Sequence, residues 1–191
     1  MSRYLSRYAV VAALAILSST VAIPAQSPAQ SSPAAPATPA APSTPTADVQ
    51  RGYAGLKANI LKAADKMPAE NYSYRPTPEV RTFARVVNHV TEAQLHSCGA
   101  INGTAPAANA VPPETADKAT IVAALQASFA ECDKAYAALT EANMLETYAV
   151  GPNKRARISL AWGNVSHDNE QYATLALYMR LKGLTPPSSE K

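Results

Sequence analysis

Proline and glycine punctuate the chain from Asp48 onward into four long segments of helical period, and none of the four carries convincing strand alternation. The first runs from Asp48 to Met67, with Tyr53, Leu56, Ile60, Ala64 and Met67 on one stripe and Pro68 ending it. The second runs from Thr82 to Asn102, places Phe83, Val86, Val90 and Ser97 near one face, and stops at Gly103. The third starts at Asp117, an N-cap residue type, and carries Ile121, Leu125, Phe129, Cys132, Tyr136 and Leu139. The fourth spans Ile158 to Lys182 and ends at Gly183, ahead of Pro186 and Pro187. It is apolar nearly all round, so it is expected to be the most buried of the four. Pro76 and Pro78 forbid helix across Glu70 to Val80 and favour an ordered extended loop, with Arg81 as a candidate to tie it down. Four amphipathic helices with connections of medium length make an all-α four-helix bundle the natural solution.

The first quarter of the chain reads differently. Arg3 and Arg7 precede an uncharged apolar run from Ala9 to Val21, followed by small residues around Ala22 to Ser27. That order is the one a secretory signal uses, and cleavage after Ala25 or after Ala22 fits its small-residue rule. The run is short of the roughly 20 apolar residues a membrane span needs, so no stable membrane anchor is expected. Residues 1–25 are therefore expected to be a signal peptide, with the mature protein in the periplasm or outside the cell. Residues 26–47 are almost wholly Pro, Ala, Ser, Thr and Gln, too poor in apolar bulk to offset ordering entropy, and are expected to be a tether. Residues 48–187 form the one domain. The full chain carries a net charge of +3, of which Arg3 and Arg7 leave with the signal. A near-neutral mature chain without a basic stripe is a poor partner for nucleic acid.

Three histidines carry the candidate chemistry. His89 and His96 are seven apart, hence within about 20° of each other on a helix, with Glu92 between them on the same flank. On the fourth helix His167 and Gln171 are four apart and share a face with Leu160, Thr174 and Tyr178. A histidine on one helix facing a polar pair on another is how bundles build metal sites in their cores. Zinc or nickel accepts such ligands, with water completing the shell. The alternative is that these histidines are ordinary core or surface residues.

Several runs together carry a resemblance. They are Ser73 to Phe83 with Pro76 and Pro78, then His89 and Glu92, then His167 through Tyr172, and Met179 to Gly183. In that order they resemble the DinB/YfiT-like family of metalloenzymes across the whole mature domain. The resemblance implies a four-helix bundle that holds a divalent metal, usually nickel or zinc, on three histidines: one from the second helix and an H-x-x-x-H pair on the last. His89 matches the first ligand and His167 the second. Gln171 stands where the family has its third histidine, within a motif whose Asn169, Glu170 and Tyr172 otherwise match. A neutral amide oxygen is a poorer ligand for zinc or nickel than imidazole. His96 could complete a shifted site only across about 10 Å of helix. Glu92, one turn from His89, is nearer and fits the role of a partner that orients His89. Glu170 is the candidate base or orienting carboxylate.

The remaining residues admit blander readings. Cys98 lies half a rotation from His89 and faces away from the site, and Cys132 lies on the apolar face of the third helix. In an oxidising compartment the two could form a disulfide, or remain buried thiols. Trp162 and Tyr172 read as core. Arg75, Arg81, Lys154, Arg155 and Arg157 read as solvated, although the last three could meet an anionic ligand at the mouth of the fourth helix. Two functions stay open. One is an exported metal-dependent hydrolase or transferase acting on an unidentified small molecule, with a homodimer among the assemblies open to it. The other is a non-catalytic bundle whose degenerate metal site binds a small ligand or partner.

Overall fold

The computed structural model describes residues 43–191. The expected signal peptide and most of the expected tether, residues 1–42, lie outside the described residues. Four helices make up the domain: α1 (Pro45–Lys66), α2 (Phe83–Asn102), α3 (Lys118–Ala137) and α4 (Arg157–Leu181). A hairpin of β1 (Thr147–Val150) and β2 (Asn153–Ala156) precedes α4.

Local chemistry sets the helix ends. Thr82 and Asp117 cap α2 and α3, accepting from the backbone N–H of Arg85 at 3.0 Å and of Thr120 at 2.7 Å. Gly103 and Gly183 close α2 and α4 in the left-handed region, at φ 69° and 75°, where a Cβ is strained. Helix α1 begins at Pro45, three residues before the Asp48 expected from periodicity. Thr44 caps it, Pro45 has the φ a first helical residue needs, and Thr46 is buried with its N–H and hydroxyl both donating to Glu141.

The helices pack in a ring, with α2 and α1 each lying between α3 and α4. Cross-helix contacts give their directions. Tyr178 reaches the Arg81 carbonyl at one end of the α2–α4 pair, while Cys98 lies near Asn164 toward the other, so these two run antiparallel. Asn102 meets Glu131 near one end of α3, and Thr82 meets Glu114 just before its other end, so α2 and α3 run parallel. Parallel neighbours need a crossover, and residues 103–117 supply it, held along α2 by the Asn88 amide donating to the Pro112 carbonyl at 2.8 Å. Phe83, Phe129, Ile60, Met67, Leu125 and Leu175 fill the centre, and Tyr53 stacks on Tyr136 with centroids 3.8 Å apart.

Some expectations are corrected. The hairpin was unforeseen: Gly151, at φ 57°, starts its two-residue Gly-Pro turn, as a tight hairpin requires. Helix α2, not α4, is the most buried, with eleven of its 20 residues buried against eleven of 25 in α4. Trp162, expected in the core, is 60% exposed on the outer face of α4 with Leu177 and Leu181, while Tyr172 is buried as expected. Arg157 is not solvated: its guanidinium sits 4.9 Å from the Tyr148 ring centroid and pairs with Glu146. The proline loop is tied by Arg75, which donates to the Pro78 carbonyl at 2.9 Å, rather than by the side chain of Arg81. Among the described residues, no helix is long and apolar enough to cross a membrane.

Candidate metal centre

Antiparallel packing of α2 against α4 brings His89 and His167 together. Their Nε2 atoms are 3.2 Å apart and their ring centroids 4.9 Å, with the rings inclined at 73°. Both are part-buried, at 27% and 26% side-chain exposure, on the wall of an open hollow of about 360 Å³. Glu92, Arg155 and Asn164 share that wall.

Each imidazole has a carboxylate behind it. His89 Nδ1 stands 3.3 Å from Glu92 Oε2. Glu92 is in turn gripped by Arg85 through two bonds of 3.0 and 3.1 Å. Burial pushes the Glu92 carboxyl up, but the hydrogen bonds from Arg85 and His89 outweigh it and hold the group below its ordinary range. With Nδ1 protonated, Glu92 is placed to accept that proton and leave the Nε2 lone pair free. Behind His167 lies Asp168, fully buried, with Oδ1 3.8 Å from His167 Nδ1. Its Oδ2 accepts from the Gln94 amide at 2.9 Å. Burial raises the Asp168 carboxyl, and the nearby His167 imidazole and the bond from Gln94 only partly offset this.

The cysteines resolve into a disulfide. Cys98 and Cys132 are joined with Cα atoms 5.0 Å apart, so neither is a free thiol and neither serves the histidine pair. The carbonyl end of Gln94 rests against both sulfurs. A buried polar line therefore runs from His167 through Asp168 and Gln94 to the disulfide. Sequence reasoning passed over Gln94, Asn164 and Asp168. The signal was there: Gln94 interrupts the stripe Val87, Thr91, Cys98, Ile101, and Asn164 and Asp168 interrupt the stripe Tyr172, Leu175, Met179. A polar residue on a buried stripe needs a partner inside the fold.

The other expected residues lie around the pair. Gln171 is buried but lines a neighbouring hollow with Val86, Glu170, Thr174 and Tyr178. Glu170 is exposed there and bonds to neither histidine. His96 is exposed on the rim of the histidine hollow. Among the described residues, no group of three or more His, Cys, Asp and Glu side chains gathers as a metal cage.

Comparison with known proteins places the fold. The profile of the DinB superfamily matches residues 54–175. The crystal structure of a DinB-like protein from Bacillus cereus ATCC 10987 is similar at a TM-score of 0.61 and 16% identity, covering 73% of this chain and 93% of that one. No curated protein matches the sequence. The profile match covers most of the chain and all four helices in whole or in part, and the chain belongs to the DinB superfamily.

Proposed function

We propose that this is an exported DinB-like bundle that holds a zinc or nickel ion on His89 and His167 and uses it in hydrolysis or group transfer on a small molecule. The observation that carries the reading is the approach of the two Nε2 atoms. Two imidazole nitrogens bound side by side to one zinc at about 2.0–2.1 Å stand about 3.3 Å apart, with ring centroids about 5 Å apart. The 3.2 Å between the two Nε2 atoms, with centroids at 4.9 Å, is compatible with that arrangement. Such an ion lowers the pKa of a bound water or thiol and polarises a carbonyl or phosphoryl oxygen. The residues around it orient: Glu92 holds the His89 ring, and Asp168 stands ready to hold that of His167. Gln171, one turn beyond His167, is proposed as a weak third ligand or a ligand contact, and Glu170 as an outlying base. The export reading draws support from the N-terminal sequence and from the disulfide, which persists in oxidising compartments.

The separation of Gln171 from the histidine hollow favours a second reading, a bundle that binds a small molecule in the old site without catalysis. Metal content decides between them. Purified, tag-free protein incubated with zinc or nickel and desalted is expected to retain one ion per chain, lost in His89→Ala and in His167→Ala. Retention of no metal after incubation with excess ion would sink the first reading.

A further inference from the structure

A second hollow, of about 300 Å³, lies one turn along α4 from His167, where that helix meets the start of α2 and the loop before it. Gln171 lines it and is only 6% exposed. Among the described residues its amide bonds to nothing in the chain. Five side-chain polar atoms among those residues are closed to solvent and unbonded, and neither atom of this amide is one of them. Both amide atoms therefore reach solvent, and the opening they reach it through is the hollow that Gln171 lines. A polar side chain on a buried helix face without a partner in the fold is available to something outside it.

The rest of the wall is rich in acceptors. Glu79 and Glu170 bring carboxylates to it, both exposed and neither in an ion pair among the described residues. Its two hydroxyls have already given their protons to the chain. Thr174 donates to the Glu170 carbonyl at 3.3 Å and Tyr178 to the Arg81 carbonyl at 3.0 Å, so each keeps only lone pairs for a ligand. Arg81 also lines the hollow, and two carboxylates against one guanidinium leave the wall net negative. An anion would meet the larger charge of its own sign there. The group that answers several acceptors and a negative wall is compact, positive and rich in N–H, and an alkylammonium presents three such donors.

We propose that this hollow binds the ammonium group of a small primary amine, held by the carbonyl oxygen of Gln171 and the carboxylates of Glu170 and Glu79. The assignment deepens the metal-centre reading by naming the class of substrate. It rests on that reading for the reacting end of the molecule alone, and of the two roles open to Gln171 it takes the ligand contact. The test adds n-propylammonium chloride to isotope-labelled, metal-stripped protein and follows the side-chain amide resonance of Gln171 with the backbone amides of residues 170–178. Tetramethylammonium chloride and sodium acetate are added in parallel at matched ionic strength. Propylammonium is expected to give saturable shifts, and tetramethylammonium, which has the charge without an N–H, is not. Affinity for propylammonium should fall at least about tenfold in Gln171→Leu, which removes a bond to a charged group. It should fall about fivefold in Glu79→Gln/Glu170→Gln, whose exposed positions leave the core untouched if Gln171→Leu does not fold. Linear shifts without saturation, an equal response to tetramethylammonium, tighter binding of acetate, or unchanged affinity in either folded variant would each overturn the proposal. Zinc uptake is measured on the same samples. Zinc retained with the amine refused overturns this assignment alone; the amine bound with zinc refused overturns the metal reading alone.

Discussion

Nδ1 of His167 and Oδ1 of Asp168 face each other across 3.8 Å, and neither buried atom has a hydrogen-bond partner. The tautomer that turns both Nε2 lone pairs toward one cation puts a proton on each Nδ1. For His89 that proton goes to Glu92; for His167 the acceptor at hand is Asp168, reached by a small rotation of the ring. Carboxylates behind metal-bound histidines are typically worth 10–100-fold in affinity. Asp168→Asn is therefore expected to weaken zinc binding about tenfold or more, read by competition with a chromophoric chelator, with helix content unchanged. Equal zinc affinity in the variant would mean that Asp168 serves only the core bond to Gln94.

Gln171 offers the complementary experiment. It lies one turn beyond His167 on α4, buried, at the edge of the adjoining hollow. Gln171→His replaces a weak amide donor with imidazole, and a third nitrogen ligand should tighten zinc binding at least about tenfold, ~1.4 kcal/mol. Isothermal titration of the variant beside the native chain measures it. No gain would place the ion elsewhere than between these helices.

The disulfide carries a stability prediction. Cys98 and Cys132 are 34 residues apart in sequence, and their bond closes a loop holding the whole crossover and most of α3. Loop-closure entropy for such a span corresponds to about 3–4 kcal/mol. Cys98→Ala/Cys132→Ala, or the native chain under dithiothreitol, should lose most of that in urea unfolding. A loss under about 1 kcal/mol would mean that the parallel α2–α3 packing is already held in the unfolded ensemble, a way the constraint can lose its effect.

How far the sequence reached can be judged from particular residues. Periodicity located all four helices, and the helical angle that put His89 on the flank of α2 was enough to bring it to His167. The start of α1 escaped because Thr44 and Pro45, good capping chemistry, sit inside a stretch whose composition reads as tether. The hairpin escaped because four-residue strands built from residues such as Thr147, Lys154 and Arg155 carry little period, and only Gly151-Pro152 marks the turn. Trp162 was placed in the core because α4 is apolar on several faces, and hydrophobicity alone does not say which of them meets the bundle. The parallel course of α2 and α3 has no local signature, since the length of the 103–117 crossover permits either direction.

Glu131 gives the pH dependence a definite sign. Hydrogen bonds from Thr104, Lys134 and Asn102 hold its carboxyl at about 2, from an ordinary value of 4.5. Thr104 and Asn102 donate at 2.7 Å each, tying the end of α2 and the start of the crossover to α3. A carboxyl whose folded pKa lies below its unfolded one contributes stability above about 4.5 and loses it as pH falls toward 2. Urea midpoints of the native chain should therefore drop across that window. Glu131→Gln should start lower at pH 7, by about 1–2 kcal/mol for lost charge-assisted bonds, and fall less steeply, the two curves converging near pH 2. Parallel curves across the window would assign the acid sensitivity to other carboxylates, such as Glu190 between Lys62 and Lys66 at the opposite edge of the sequence.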